Sequence, residues 1–544
     1  MKKISRRAFL SAAGFAAAAG LLTACGSAST AASSTAAGST AASAASGAAH
    51  KTADGKTVVR VGINSDPASF GPFESGGNGK NATYSTLYEP LAEYQGVGGE
   101  VKGVVAKEWT QVDDYTYDLT IYDNVKDTAG NAITGEDIAW MLQTAKDSGN
   151  FNDFRYVDSV TQTGDYTVRI VMNSNIIGQF AKVLQVVRVV SKAAYEASPD
   201  QMATDPVGTS HYKLVNYVSG SEYDFEKTDS YWQTDESLFD MYQQANVDRI
   251  EYYYIAEDSQ LAIALESGTV DMVCGLSYTE SQRFMEGGAS ASGFMVQKDL
   301  QNLSQVLFFQ CSDNSPCSNA KLRQAILYAI DKQGLIDGAV SGQGVVCATF
   351  GGNMFSDYQA KWESEPMYDY DLDKAKSLLT ESGFDTSKTL RIVLNGNSIR
   401  KSIAQIMQGY LAQIGITCEI DSYEDSLFNT YKSDETAYDI LLDNCGASDY
   451  LMTIWRGKFD NKAYKTGGTI NGVYDDELQK RIEACETTHT ADDMDAFHQY
   501  LYSSAYAVGL FNAQMFTVAF SQCKAIMLDC KQFLNVASCT YDWN

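Results

Sequence analysis

The chain has 544 residues, 44% of them hydrophobic and 11% aromatic, enough apolar material for two or three domains and too much for a disordered or fibrous protein. It carries 41 Lys and Arg against 68 Asp and Glu, and a net charge of −27 repels phosphate backbones, which argues against nucleic acid as a partner.

Lys2, Lys3, Arg6 and Arg7 precede an apolar, Ala-rich run at 12–22, too short to span a bilayer as a mature helix and of the right length for a secretory signal. Leu22-Thr23-Ala24-Cys25 is similar to a lipobox, so residues 1–24 are expected to be a signal peptide and Cys25 the lipidated first residue of the mature chain. Ser5-Arg6-Arg7-Ala8-Phe9-Leu10 also looks like a twin-arginine export signal. Residues 25–51, nearly all Ala, Ser, Thr and Gly, read as a flexible tether with nothing to bury. The expected location is extracytoplasmic, anchored to the cell membrane through Cys25, with no other stretch long and apolar enough to cross it.

Alternation at 58–63 predicts the first strand, followed by a Gly-rich turn at 70–80. Gly76-Gly77-Asn78-Gly79-Lys80 faintly resembles a phosphate loop, but Glu74 stands where the first glycine should be and Asn81 where the magnesium hydroxyl should be. Gly76 and Gly77 remain candidates for close backbone approach to a ligand, or form a simple turn. Residues 115–122 and 166–172 alternate as half-buried antiparallel strands do, and between them Thr134 opens a helix through Trp140 and Leu142. Further strands are expected at 212–218, 223–227 and 250–255.

After residue 300 the period changes. Leu322, Ala325, Ile326, Ala329 and Ile330 mark one helix face, and Ile403, Ile406, Met407, Tyr410, Leu411 and Ile414 another. Strand-like runs at 390–394, 416–420 and 438–442 alternate with these helices, the order of a parallel α/β sheet. Ligands of such sheets lie beyond the carboxyl ends of the strands, which singles out the polar run at 444–450, read as a loop, with Ser448, Asp449 and Tyr450 as candidate ligand-binding residues.

Ten cysteines follow Cys25. They either form disulfides, with Cys311–Cys317 and Cys523–Cys530 close enough for local bridges, or serve as small buried thiols. No CxxC pair occurs, and of four histidines only His489 has a cysteine, Cys485, one helical turn away, a pair that reads as solvated surface. No metal site and no cofactor are expected. Ser210-His211-Tyr212-Lys213, Ser312-Asp313-Asn314 and Lys465-Thr466-Gly467 mimic, in order, the motifs of penicillin-recognising serine enzymes. A nucleophilic Ser-x-x-Lys needs a helical turn, whereas 212–218 alternates like a strand, so a secreted serine hydrolase is the disfavoured reading.

Several short motifs recur in a defined order: Leu87-Tyr88-Glu89-Pro90-Leu91, Ala106 with Trp109, the 134–138 segment, Val207-Gly208-Thr209-Ser210-His211-Tyr212-Lys213-Leu214, Ser230-Tyr231-Trp232 and Ser267-Gly268-Thr269-Val270-Asp271. Leu322-Arg323-Gln324-Ala325, Ala329-Ile330-Asp331-Lys332, Lys374-Ala375-Lys376 and Gly415-Ile416 continue the series. Together they resemble the family 5 extracellular solute-binding proteins, the oligopeptide- and dipeptide-binding components of ABC importers. The resemblance implies an α/β, two-lobed periplasmic-binding-protein-like fold of type II. Lobe I would take 52–85, 205–305 and 511–544, an extra subdomain 86–204, and lobe II 306–510, with the chain crossing near 306–310 and 511–515. It further implies a monomer without enzymatic activity that holds a peptide or similar small solute between the lobes and delivers it to permease subunits. In peptide-binding members an Asp in a "W-C-A-D-Y" segment pairs with the ligand amine. Gly446-Ala447-Ser448-Asp449-Tyr450 matches in the Asp and Tyr, without the Trp. The Asn that ends the inter-lobe strand in the family is replaced here by Gln310 or Cys311. Another solute, such as an oligosaccharide stacked on some of the 33 tyrosines, or nickel or haem, is the alternative within the family.

Overall fold

The computed structural model describes residues 50–543 except 53, 75–76, 447–449, 462–470 and 489. The alternation at 58–63 builds the strand Val58–Ile63, which lies parallel to Arg249–Tyr254 on one side and to Met272–Leu276 on the other. Arg249–Tyr254 continues antiparallel into Glu222–Lys227 and then into Tyr212–Val218. These strands form the first lobe's part of an eleven-stranded sheet.

Two long antiparallel strands, Phe294–Phe309 and Ala507–Phe520, carry the sheet from one lobe into the other. At one end Ala507–Phe520 pairs with Met272–Leu276, and at the other Phe294–Phe309 pairs with Ile440–Gly446. The pairing of the two long strands is irregular between Leu300 and Ser304, where the neighbours change. Residues 306–309, where the sequence places the first crossing between lobes, sit in one apolar core with Leu322, Ile403 and Leu441. In that lobe Ile440–Gly446 is parallel to Thr389–Asn395, which is parallel to Thr417–Tyr423, and helix Ser398–Ala412 makes the connection. Ile403, Met407 and Leu411 are the buried stripe of that helix. The expected parallel pairing of these strands forms, and the sheet as a whole is mixed because Ile440–Gly446 takes an antiparallel neighbour in Phe294–Phe309.

The segment between the first strands of lobe I builds a separate antiparallel sheet, in the order Ala106–Gln111, Thr116–Ile121, Thr167–Met172, Val157–Gly164. Its helix Gly135–Ser148 starts at a capping box in which Thr134 N–H and Oγ1 donate to Asp137, at 2.8 and 2.7 Å. Gly149, at φ 68°, ends it in the left-handed conformation.

Motifs that identify the chain turn out to hold the scaffold together. Glu89 of the first motif is buried and accepts from Trp232 Nε1 at 2.7 Å, from Gln243 Nε2 at 3.2 Å and from the Tyr231 hydroxyl. Arg323 donates to the carbonyls of Cys317, Ser318, Ser504 and Ala505, tying the start of its own helix to the end of another. Two large apolar cores result, one around 306–513 and one around 59–272 joined by the chain's last residues.

The tether expected to run to residue 51 ends earlier: His50 stacks on Phe520 at 4.5 Å and Lys51 bridges to Thr57. Residues 1–49, and with them Cys25, lie outside the described residues. All ten described cysteines are free thiols. Cys311 Sγ turns to the Phe309 carbonyl while Cys317 is fully buried, and Cys523 and Cys530 face different partners, so neither local bridge forms. Cys485 packs in the core rather than facing solvent, and His489 lies outside the described residues. Ser210 is buried against the Thr86 carbonyl and Lys213 is on the strand Tyr212–Val218, so the Ser-x-x-Lys mimic has no helical turn.

Candidate functional site

The polar run at 444–446, read from the sequence as loop, is strand. Asn444, Cys445 and Gly446 pair with Gln305, Ser304 and Leu303, because the inter-lobe strand offers a ladder that outweighs local turn preference. Gly446 ends the strand at φ +139°, where a Cβ would collide with the Asn302 carbonyl, so only glycine fits. The strand's carboxyl end is thereby set at the point where the chain passes between the lobes.

Beyond it, Tyr450 is the N-cap residue of helix Leu451–Phe459. The Asp357 carboxylate receives the first-turn N–H groups of Leu451 and Met452, at 2.6 and 2.9 Å, and fixes the start of the helix. Trp455 Nε1 donates to the Phe350 carbonyl at 2.6 Å and anchors the buried face. The other face touches the segment 156–178. Thr453 Oγ1 donates to the Ile177 carbonyl at 3.0 Å, the Arg456 guanidinium lies 3.5 Å over the Tyr156 ring, and the Tyr450 ring covers Gly178, where a Cβ would overlap it.

Beside this contact lies a cavity of about 470 Å³, in the range of small-molecule sites. The 3-10 turn Asn152–Tyr156 and helix Gln179–Val186 supply one wall, and the strand end at 444–446 with the helix carrying Lys458 supplies the other. Arg155 and Lys182 line it from the first of these walls, Lys432 and Lys458 from the side of the second, and Asp153 is the one carboxylate among the described lining residues. Just beneath, buried Asp443 pairs with Lys432 and sits 4.0 Å from Lys458 Nζ and 3.9 Å from Arg400 Nη1. Burial would raise the Asp443 carboxyl, but Lys432, Lys458 and Arg400 together outweigh it and hold it below the ordinary value. Burial in turn lowers the Lys432 and Arg400 pKa values despite the carboxylate.

Of the residues singled out from the sequence, Tyr450 is next to this cavity, at the inter-lobe contact. Ser448, Asp449 and Gly76 lie outside the described residues. Gln310 and Cys311 are elsewhere: Phe309 pairs with Ile440, six positions along the ladder from the Leu303–Gly446 pair, or roughly 20 Å. There Gln310 N–H donates to the Asp439 carbonyl and Cys311 N–H to the Asn471 carbonyl, and burial pushes the Cys311 thiol up to about 12. The reason is direction. The inter-lobe strand runs antiparallel to Ile440–Gly446, so the residue that ends it meets the amino end of its neighbour. Gly77 caps helix Asn78–Leu87 in an extended conformation, in open surroundings and away from the cavity lining. Lys182, Lys432 and Lys458 were missed, since nothing in a sequence links a lysine at 182 to one at 432. Of the histidines, His211 stacks on Tyr231 at 3.6 Å and His498 on Trp362 at 4.6 Å, and among the described residues no group of three or more His, Cys, Asp or Glu is placed to hold a metal ion.

With this geometry in view, residues 100–460 match the model of the bacterial extracellular solute-binding proteins, family 5. The nickel-binding protein NikA of Staphylococcus aureus is 22% identical over 418 residues, covering 76% of this chain and 78% of that protein. The glutathione-binding protein GsiB of Pectobacterium atrosepticum is 26% identical over 375 residues, covering 67% and 69%. Among solved structures, the oligopeptide-binding protein AppA of Bacillus subtilis, in complex with a nonapeptide, superposes with a TM-score of 0.73 at 17% identity, over 89% of this chain and 99% of that one.

Proposed function

Because the chain belongs to the family 5 bacterial extracellular solute-binding proteins, a family of two-lobed binding proteins rather than enzymes, we propose that it captures peptides between its lobes and delivers them to the permease of an ABC importer. The observation that carries this reading is the 470 Å³ cavity at the carboxyl end of Ile440–Gly446, lined by residues of 152–182 on one side and 429–458 on the other. Hinge closure over such a cavity sequesters a ligand without chemistry. Asp449 would pair with the ligand's α-amino group, with Ser448 and Tyr450 beside it, since that short segment follows the strand end at Gly446. Cys25 would carry the lipid that keeps the protein at the outer face of the cell membrane.

Calorimetry with tri-alanine and N-acetyl-tri-alanine tests the peptide reading. Acetylation is expected to cost on the order of 2 to 5 kcal/mol, and Asp449→Asn to remove most of the difference. Equal affinity of both peptides for the wild-type protein would sink the amine role of Asp449. For the anchor, incorporation of labelled palmitate into the wild-type protein and its loss in Cys25→Ser is the expected result, and labelling that survives the substitution rules the anchor out.

A further inference from the structure

Cys523 and Cys539 stand at the base of the last loop of the chain, both buried in the apolar core around 59–272. The short strands Cys523–Ala525 and Thr540–Tyr541 pair antiparallel, with Cys523 opposite Tyr541. Side chains two apart in extended chain share a face, so Cys539, extended at φ −60° and ψ 150°, lies on the Cys523 side of this ribbon. The sulfurs are set along one stretch of backbone: Cys523 Sγ turns to the Ala525 carbonyl at 3.6 Å, and Cys539 Sγ accepts from the Met527 N–H at 3.2 Å. They meet in a hydrogen bond that holds the Cys523 thiol above its ordinary pKa and brings Cys539 below it. Cys539 is therefore the thiol that ionises first.

The loop between them reaches the strands that cross between the lobes. Gln532 Nε2 donates to the Leu300 carbonyl and Gln532 Oε1 accepts from the Asn302 N–H, both at 2.7 Å, and Asn302 Nδ2 donates to the Cys530 carbonyl at 2.8 Å. These contacts fall on the stretch between Leu300 and Ser304, where the ladder with Ala507–Phe520 changes register. The tip of the loop thus braces the inter-lobe strand at its irregularity. Disulfides form and persist outside the cytoplasm, where members of this family reside.

We propose that Cys523 and Cys539 are a dithiol that closes to a disulfide outside the cytoplasm and fastens the base of the bracing loop. The Cys539 thiolate attacks one sulfur of a disulfide donor, such as glutathione disulfide, and expels one donor thiolate. Cys523 then gives up its proton and attacks the Cys539 sulfur of the mixed disulfide, expelling the second. The cysteine pair loses two electrons and two protons, and the donor becomes two thiols. Local opening of the ribbon admits the donor, since its strands are only three and two residues long and lie near the chain end.

The test incubates the reduced, folded full-length protein with glutathione disulfide, alkylates the remaining thiols in urea and maps the peptides by mass spectrometry. A single linkage between Cys523 and Cys539 is expected, with an intact mass lower by about 2 Da before alkylation for the two hydrogens lost. In Cys523→Ala the donor's first half should stay on Cys539 as a mixed disulfide. Hydrogen exchange at Asn302 and Gln532 of the wild-type protein should slow several-fold when the bridge closes and recover when it is reduced. Full alkylation of both cysteines, or a bridge from either one to another cysteine, overturns the proposal. A Cys523–Cys539 bridge that leaves exchange at Asn302 unchanged supports the modification site and overturns its bracing role.

Discussion

Glu89 in the first lobe and Asp443 beside the cleft are both buried carboxyls, and their surroundings push them in opposite directions. Burial raises Glu89 to about 7, since its partners Tyr231, Trp232 and Gln243 are neutral donors that only partly compensate for lost water. Asp240 and Asp529, which border the same small void of about 70 Å³, are pushed up to about 6 and about 7 for the same first reason. At Asp443 three cations more than offset burial. One region is a hydrogen-bonded polar core with room for a couple of waters. The other sets three cations around one buried carboxylate, beside a cavity of about 470 Å³. What sets the direction of a buried carboxyl here is whether its nearest partners are neutral donors or cations.

The largest expected effect comes from breaking the polar core. Glu89→Ala removes the acceptor of Trp232 Nε1, Gln243 Nε2 and the Tyr231 hydroxyl and should lower unfolding stability by about 4 kcal/mol in urea titration. At the cleft, Asp443→Asn leaves three neighbouring cations without their counter-charge, and a loss of about 2 to 3 kcal/mol is expected, discounted because the lysines are partly exposed. If Asp443→Asn proves neutral, the cluster around it is less coupled than its distances indicate.

The two carboxyls should also separate by pH. Glu89 binds its proton more tightly in the folded state, so its contribution is complete below about 4.5 and is lost as pH rises through about 7. Glu89→Gln mimics the protonated form. It should be close to wild type at pH 5 and gain about 2 kcal/mol relative to it at pH 8, a small enough change to require full denaturation curves at both pH values. Asp443 runs the other way: its lowered pKa contributes stability above the ordinary 3.8 that is lost as pH falls through its folded value. A Glu89→Gln difference that stays flat from pH 5 to 8 would remove the contrast. The smallest effect is expected at the capping box, where Thr134→Ala should cost about 1 kcal/mol in the same titration.

Much of the fold was legible because it rests on local periodicity. Thr116–Ile121 and Thr167–Met172 alternate as read, Ser398–Ala412 shows its stripe, and the capping box at Thr134 forms as its spacing requires. The site was legible only in part. The strand read at 438–442 is present as Ile440–Gly446, but Asn444 and Gly446 carry turn preferences that their pairing with Gln305 and Leu303 overrules. Gln310 and Cys311 were misplaced because an aligned position says nothing about strand direction.

By itself, then, the order of apolar and polar residues determined which segments became strands and helices, and the short motifs pointed to the family; in this chain Glu89, Trp232 and Arg323 of those motifs hold buried polar contacts. Only the tertiary structure decided where the cations went. Lys182 and Lys432 are brought to one cavity by the passage of Phe294–Phe309 and Ala507–Phe520 between the lobes, a long-range pairing that no local pattern encodes.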